Sequence, residues 1–292
     1  MICTVESAFG NSRTEPLHYP AFKHEGRIDI MRDDLIHPVV CGNKWRKLRY
    51  IIQHLQSNHF SKLVTFGGAY SNHLAAAAFA GNIFGIETHA FVRGDEDRPL
   101  NHYETLCLEQ GMQINHVSRS AYRDKEQLFN EAFGNDPKAF FLDEGGNHPL
   151  ALKGCAEMVD EWTRPYDYVV LPVGTGTTME GLVQGVLKHG YQTTIIGIST
   201  LKNNHALDKR LLPYPASSWQ ILHDYHRGKY GTVDDELIQY CKEFHALTGV
   251  LLDPVYTGKM MMAAEDLFQK NFFEPNASVL FIHTGGLLSA VH

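Results

Sequence analysis

The strongest constraint on the fold is an alternation of short apolar runs with longer amphipathic stretches, which starts near residue 60. The short runs, such as SKLVTF, DYVVLPV, TTIIGIST and GVLLD, are almost wholly apolar rather than alternating. Strands of a parallel sheet that is covered on both faces have this composition. Strand and helix in regular alternation therefore predict an α/β protein with open, twisted parallel sheets and right-handed crossovers.

The predicted strands form two series. The segment GGNHP at 145–149 separates a first series of three or four strands from a second series, and loop-rich sequence fills the first 50 residues. Two sheets are expected from this arrangement. Because open α/β sheets bind ligands beyond the carboxyl ends of their strands, we expect a ligand where the strand ends of two lobes meet.

Composition and charge exclude several classes of protein. The 292 residues include 26 Lys+Arg and 33 Asp+Glu, which give a formal net charge of −7, and no long basic run occurs. A nucleic-acid partner is therefore not expected. No stretch approaches about 18 apolar residues and the first residues lack a signal-peptide pattern, so no membrane partner and no secretion are expected.

The cysteines and histidines add two expectations. The five cysteines are odd in number and include no CxxC pair. This usage is typical of buried thiols in a reducing compartment and predicts a cytoplasmic protein. The 17 histidines show no metal-ligand spacing, so no metal site is expected.

Three predicted strands run directly into glycine and hydroxyl clusters, TFGGAYSNH at 65–73, LPVGTGTTMEG at 171–181 and FIHTGG at 281–286. The middle cluster contains Gly174, Thr175, Gly176, Thr177 and Thr178. Backbone N–H groups at a helix start bind anions, and glycine lets a phosphate approach closely. We therefore favour a phosphate-binding loop over glycines that only turn the chain. The loop lacks the P-loop lysine, and Met179 replaces the third glycine of a dinucleotide fingerprint.

A second cluster, CGNKWRKL at 41–48, brings three cations together at the start of a predicted helix. Taken alone, such a run is typical of a solvated helix face. Lys44 and Lys47 are three residues apart and can share one face of the first helical turn. Neighbouring cations or burial lower the pKa of a lysine, and the neutral amine is the form that forms a Schiff base. One lysine could then bind a carbonyl while the other neutralises a phosphate.

Five segments in order resemble one enzyme family. GNKWRKL, GGAYSNH, VGTGTTMEGL, LDPVYTGK and FIHTGG resemble motifs of the pyridoxal-phosphate enzymes that include 1-aminocyclopropane-1-carboxylate deaminase and D-cysteine desulfhydrase. The resemblance covers roughly residues 27–286. It implies the type II fold of the tryptophan synthase β-subunit, pyridoxal 5′-phosphate as the cofactor, a small amino acid as the substrate and a homodimer.

The resemblance also implies a role for each matching residue. Lys44 forms the Schiff base with the cofactor, and Lys47 contacts the cofactor phosphate. The loop of residues 174–178 cradles that phosphate. Asn72 hydrogen-bonds the 3′-oxygen of the pyridine ring, and Ser71 lies beside the substrate as a nucleophile or proton carrier.

Two further residues are placed near the substrate. Tyr256 approaches the ring and the substrate by resemblance, and His73 faces the same cleft by its position after Asn72. Each has a structural alternative: Ser71 and Asn72 can cap the following helix, Tyr256 can be a core aromatic, and His73 can be a structural histidine. The functional role is favoured for Ser71, Asn72 and Tyr256, and the two alternatives for His73 stay open.

Thr257 distinguishes the two activities of the family. The resemblance implies glutamate at this position in the deaminase and threonine in the desulfhydrase. A carboxylate would keep the pyridine nitrogen protonated, whereas the hydroxyl of Thr257, joined by that of Thr284, supplies no charge. Thr257 thus favours Cα deprotonation by Lys44 or Ser71 followed by β-elimination, which converts D-cysteine to pyruvate, ammonia and sulfide. Deamination of 1-aminocyclopropane-1-carboxylate is the alternative.

Several residues depart from the family pattern, mostly on the substrate side. Tyr70 stands where glutamine is usual, Trp45 is bulkier than the usual residue, and apolar residues follow the SNH triplet. Two other functions stay open: a phosphometabolite-binding protein without lysine chemistry, and an inactive member that retains the cofactor. The expected domains are a larger cofactor-binding domain of residues 1–54 and 154–292 and a smaller α/β domain of residues 55–153.

Overall fold

The computed structural model describes residues 9–94, 98–202, 204–229 and 231–289. The strands are β1 (Thr14–Pro16), β2 (Ile28–Met31), β3 (Lys62–Gly68), β4 (Glu87–Arg93), β5 (Gln113–Val117), β6 (Ala139–Leu142), β7 (Tyr168–Val173), β8 (Thr194–Ser199), β9 (Trp219–Leu222) and β10 (Val279–Ile282). The α-helices are α1 (Asn43–Ser57), α2 (Asn72–Phe84), α3 (His102–Glu109), α4 (Lys125–Phe133), α5 (Pro149–Ala156), α6 (Thr177–Lys188), α7 (Ala206–Leu211), α8 (Asp235–Thr248) and α9 (Thr257–Gln269).

Contacts between Cα atoms divide the described residues into two compact units. Unit 1 consists of residues 9–10 and Lys44–Gly154, and unit 2 consists of Asn11–Asn43 and the residues from Cys155 onward. The domain limits given above stay a prediction. Within the described ranges, no helix is both long and apolar enough to cross a bilayer.

Unit 1 contains a parallel four-stranded sheet in the order β5-β4-β3-β6. The helix α2 follows β3 after a short turn, its Ala75–Ala78 stretch is buried, and it ends where Gly85 adopts a left-handed conformation with φ +67°. Gly81 of α2 lies so close to β4 that a Cβ there would stand 2.3 Å from the Cγ2 of Thr88. The small side chains of α2 therefore let the helix pack closely on the sheet that positions its first residues.

Unit 2 contains a six-stranded sheet in the order β1-β2-β10-β7-β8-β9. Its pairs are parallel except for β1 with β2, which is antiparallel. Val170 of β7 packs in one apolar cluster, and its neighbours Val169 and Leu171 pack in the cluster on the opposite face. Apolar residues therefore cover both faces, which confirms the parallel α/β fold that the continuous apolar runs predict.

One predicted strand is wrong. The run GVLLD at 249–253 begins at the left-handed Gly249, which ends α8, and it pairs with no strand of the described residues. Its backbone groups bond to side chains instead: the N–H of Val250 donates to Thr248 Oγ1 at 3.2 Å, and the carbonyl of Leu251 lies 2.7 Å from His283 Nε2. Val250, Leu252 and Asp253 are buried as strand residues would be, but the run has no neighbouring strand among the described residues.

The cysteine prediction holds for the residues that the structure describes. Cys41, Cys107, Cys155 and Cys241 are buried thiols, while Cys3 lies outside the described residues. Burial raises the pKa of Cys107 and of Cys241 to about 12, so both thiols stay protonated and unreactive at neutral pH. They behave as small hydrophobic side chains.

Candidate active site

The lysine cluster begins helix α1 and is largely buried. Lys44 is half-buried, whereas Lys47 is 3% exposed and its Nζ donates to the carbonyl of Gly145 at 2.8 Å. The alternative for this run, a solvated helix face, therefore does not apply to Lys47, because its side chain is buried. An ammonium group has three N–H donors, and the bond to Gly145 uses one of them.

The turn between β3 and α2 holds Ser71 and Asn72. Ser71 is the N-cap of α2, and its Oγ accepts a hydrogen bond from the N–H of Leu74 at 3.4 Å. The capping role is therefore real. Asn72 differs, because its Oδ1 is buried without a hydrogen-bond partner among the described residues. Leaving a buried acceptor unpaired costs free energy, so this atom marks a place where a ligand's donor group fits.

His73 has a fixed tautomer. Thr65 Oγ1 donates to the carbonyl of Leu142 at 2.8 Å, so it must accept from the Nε2–H of His73, also at 2.8 Å. The Nδ1 atom of His73 is then a hydrogen-bond acceptor, and it is buried without a partner in the part of the chain that the structure describes. Burial first, and then the charges of Lys44 and Lys47, hold the pKa of His73 well below its usual value. His73 is thus a neutral imidazole with one acceptor atom in the electrostatic field of both lysines.

In unit 2, the glycine-threonine loop joins β7 to the N-terminus of α6. Gly176 adopts φ +87°, and a Cβ there would lie 2.4 Å from Leu207 Cδ1, so this position requires glycine. Thr177 and Thr178 are buried as the first residues of α6. The loop therefore lies at the positive end of a helix, an arrangement of the kind that binds anions such as phosphate.

Asn43 connects two of the predicted segments. Its N–H donates to the carbonyl of Thr284 at 3.2 Å, and its Nδ2 donates to Thr178 Oγ1 at 3.1 Å. Asn43 thus bonds both the glycine-threonine loop and the HTGG segment, and it is the residue that precedes Lys44 in the chain. We did not predict this role, although Asn43 lies inside the GNK motif that signalled the lysine.

The DPVYT segment forms the turn that starts α9. The N–H of Tyr256 donates to Asp253 Oδ1 at 2.6 Å, and Thr257 Oγ1 accepts from the N–H of Asp253 at 2.8 Å and lies 3.2 Å from its carbonyl. A Cβ on Gly174 would stand 3.4 Å from Tyr256 Cε1, so the tyrosine ring lies beside the glycine-threonine loop. Thr257 is fully buried, and its hydroxyl holds the turn that places Tyr256 there.

A buried histidine organises the HTGG segment. The Nε2 of His283 lies 2.7 Å from the carbonyl of Leu251, and its Nδ1 accepts the N–H of Gly285 at 3.2 Å. The carbonyl partner requires the hydrogen on Nε2, so this tautomer is fixed too. Burial lowers the pKa of His283. His283 therefore positions the backbone around Thr284, a function that the sequence motif contains but that we did not assign.

Acidification below about pH 6.5 is expected to destabilise the protein through His73 and His283. Their pKa values are lowered in the folded state and about 6.5 in the unfolded state, so the unfolded chain binds more protons between those values. The stability that depends on the neutral rings is complete above about pH 6.5 and is lost as pH falls, by up to about 1.4 kcal/mol per pH unit for each proton.

Urea unfolding at a series of pH values measures this dependence. The variants His73→Gln and His283→Gln are each expected to reduce the slope of the unfolding free energy with pH. The variant His245→Gln, which replaces an exposed histidine of α8, should leave the slope unchanged. Equal slopes in all three variants would contradict the assignment.

Comparison with known proteins identifies the family. A family model described as "Pyridoxal-phosphate dependent enzyme" matches residues 5–285. A Thermotoga maritima protein with a provisional 1-aminocyclopropane-1-carboxylate deaminase name is 29% identical over 288 residues, covering 91% of this chain and 90% of the relative. The bifunctional D-cysteine desulfhydrase/1-aminocyclopropane-1-carboxylate deaminase of Arabidopsis thaliana, named as mitochondrial, is 27% identical over 94% of this chain and 76% of its own length.

A solved structure gives the same result. The crystal structure of a protein described as the ACC deaminase homologue superposes with a TM-score of 0.83 at 26% identity, covering 97% of this chain and 91% of that one. The residues of this chain fit the cofactor on their own terms. Unit 1 supplies a lysine amine and the buried side-chain amide of Asn72, and unit 2, described by itself, supplies a helix start at Gly176–Thr178 of the kind that binds anions. The chain belongs to the family of pyridoxal-phosphate-dependent enzymes and has their type II fold.

Proposed function

We propose that this chain is a pyridoxal-phosphate-dependent lyase that acts on a small amino acid by Cα deprotonation and β-elimination. D-cysteine is the proposed substrate, and together with one molecule of water it gives pyruvate, ammonia and sulfide. The names of the relatives support both D-cysteine desulfhydrase and 1-aminocyclopropane-1-carboxylate deaminase activity. The choice between them depends on the first residue of α9.

Thr257 is the observation that carries this choice. Its hydroxyl bonds with the backbone of Asp253, at 2.8 Å from the nitrogen and 3.2 Å from the carbonyl oxygen, and it places no carboxylate at the start of α9. Without that negative charge, an enzyme of this family is less able to keep the pyridine nitrogen protonated. A reaction in which a good leaving group departs early suits this environment better than opening of a cyclopropane ring. Thiolate is such a leaving group.

The proposed binding residues come from three of the sequence motifs. Lys44 holds the cofactor covalently, Lys47 and residues 174–178 bind its phosphate, and the side-chain N–H of Asn72 donates to the 3′-oxygen on its pyridine ring. When bound, pyridoxal phosphate supplies the electron sink that stabilises negative charge at Cα. The contacts of Asn43 with Thr284 and Thr178 support this assignment, because they fix the residue next to Lys44 to the glycine-threonine loop.

The proton transfers are assigned to Lys44 and Ser71. Lys44 has the amine that accepts the Cα proton once the substrate has taken its place. One lone pair of Ser71 Oγ accepts the N–H of Leu74, and this leaves the hydroxyl proton for another acceptor. Tyr256 and His73 are proposed to contact the substrate. His73 takes part as a neutral hydrogen-bond acceptor, because its pKa is held well below the usual value.

Absorption spectroscopy between about 300 and 500 nm tests the reaction, because the cofactor in its covalent linkage absorbs in this range. We expect D-cysteine to change the visible band and release sulfide and pyruvate, and L-cysteine to have a weaker effect. A response to 1-aminocyclopropane-1-carboxylate with no sulfide from D-cysteine would show that Thr257 does not decide the activity. A Thr257→Glu variant provides the matched comparison and should shift activity away from D-cysteine.

Assembly and location are part of the proposal. Four buried thiols among the described residues support a reducing compartment, and we propose the cytoplasm. A homodimer is proposed from the family resemblance. Light scattering of the purified holoenzyme measures its mass and tests the dimer directly.

A further inference from the structure

Three potential metal ligands meet in unit 2, outside the residues assigned to the cofactor. His205 immediately precedes α7, Asp208 lies within α7, and His223 follows β9. One ligand atom of each lies within 4.8 Å of the other two. His223 Nε2 is 3.1 Å from Asp208 Oδ1, and His205 Nδ1 is 3.7 Å from Asp208 Oδ2. Sequence spacing could not reveal this cluster, because the sheet brings His223 to a helix that lies 12 to 17 residues earlier in the chain.

The cluster retains unused bonding capacity. Asp208 Oδ2 and His223 Nδ1 are buried atoms without a hydrogen-bond partner among the described residues. The ring centroids of His205 and His223 lie 4.6 Å apart, and the two rings are tilted by 46°. Asp208 therefore has one histidine beside each carboxylate oxygen, His223 within hydrogen-bond distance of Oδ1 and His205 at 3.7 Å from Oδ2.

The donor set selects the class of ion. Two imidazoles and one carboxylate suit zinc and other divalent first-row transition metals, and calcium and magnesium prefer all-oxygen sites. In a tetrahedral site, ligand atoms about 2.1 Å from the ion are about 3.4 Å apart, so a pair separated by up to 4.8 Å must approach by about 1 Å or more. The side chain of His205 is 66% exposed and can rotate to provide this movement.

We propose that His205, Asp208 and His223 bind a divalent transition-metal ion, with zinc as the reference ion. In the present arrangement His223 Nε2 lies within hydrogen-bond distance of Asp208 Oδ1. Water completes the coordination shell, because the protein provides three ligands.

The ion would also act on the glycine-threonine loop. Asn204, next to His205, donates from Nδ2 to the carbonyl of Gly174 at 2.9 Å. Leu207, next to Asp208, lies directly against Gly176. The segment that carries two metal ligands therefore also supports the loop. We expect bound zinc to slow release of the cofactor, an effect that rests on the proposed phosphate-binding role of residues 174–178.

Zinc titration of the holoenzyme by calorimetry tests the site itself. We expect one zinc ion per chain whose binding is weakened at least about tenfold in His223→Ala and in Asp208→Asn. The exposed ligand His205 is replaced in a third variant, His205→Ala, which should fold normally and also lose affinity. His245→Ala, an exposed histidine elsewhere in unit 2, is the control and should bind zinc like the wild type.

Two results separate the parts of the proposal. Equal zinc binding by the wild type and all three ligand variants would overturn the site, whatever the enzyme catalyses. Zinc binding that depends on the three ligands, with no change in the rate of cofactor release, would keep the site and overturn its effect on the loop. Cobalt(II), whose visible absorption reports its ligand geometry, should bind at the same residues and show a spectrum that His223→Ala abolishes.

Discussion

Replacement of Lys44 by alanine is expected to remove the visible cofactor band and to lower turnover by at least about 10³-fold. The reason is that the same amine is proposed both to hold the cofactor and to take the Cα proton, so one substitution removes two steps. Absorption spectra and steady-state rates of the purified variant measure the two effects separately.

The control for Lys44 is another lysine of unit 1. Lys153 is exposed on α5, and Lys153→Ala should retain the band and the activity. Borohydride treatment of the wild type followed by peptide mass spectrometry should find the cofactor on the peptide that contains Lys44. The strongest competitor is Lys259, whose burial lowers its pKa and whose Nζ donates to the carbonyl of His226 at 2.9 Å. Label on Lys259 would overturn the assignment of Lys44.

The substitution Gly42→Ala is expected to lower the free energy of unfolding by about 3 kcal/mol or more. Gly42 adopts φ +59°, and a Cβ there would lie 1.9 Å from the carbonyl oxygen of Thr284, which is backbone and cannot move aside cheaply. The N–H of Gly42 also donates to the carbonyl of Asp33 at 2.8 Å, so the turn has little freedom to shift. Urea unfolding followed by far-UV circular dichroism measures the loss.

A second glycine serves as a control that separates the cost of backbone strain from the cost of a steric clash. Gly190 has a similar φ of +68°, but nothing lies within 4 Å of a Cβ at that position. Gly190→Ala should therefore show only the cost of a left-handed conformation, about 1–2 kcal/mol. If the two alanine variants lose the same stability, the close approach of Gly42 to Thr284 is not what fixes this turn. The Gly42→Ala variant should also bind the cofactor more weakly. A shift of this turn would displace the next residue, Asn43, which bonds to Thr284 and Thr178.

Much of the fold could be predicted from the sequence because burial on both faces makes strands continuously apolar. The strands β7 and β8 are of this kind, and both are where the pattern places them. The strand β2 and the short strand β9 escaped prediction, since each lies in a segment whose composition resembles a loop. Conversely, GVLLD has the composition of a strand but lacks a neighbour to pair with, and pairing partners cannot be deduced from local composition.

The candidate site, like the fold, could be predicted only in part. Motif order was enough to select Lys44 and the glycine-threonine loop, because these residues form local sequence patterns at strand and helix ends. The fixed ring of His73 was not predictable, since it depends on Thr65 and the carbonyl of Leu142, which belong to neighbouring strands. The bond of Asn204 to Gly174 was hidden for the same reason, because no pattern connects residues that meet only after folding.

The strand order of unit 2 also constrains when the protein can fold during its synthesis. The sheet of unit 1 is complete once β6 has left the ribosome, because its four strands are consecutive in the chain. In unit 2, β2 must wait for β10, whose Val279 pairs with Ile28 roughly 250 residues later. Until then β2 and β7 each lack the central strand between them, and their exposed edges can pair wrongly. We therefore expect unit 1 to gain protease resistance on ribosome-bound chains well before unit 2, and nascent unit 2 to be the part that chaperones retain.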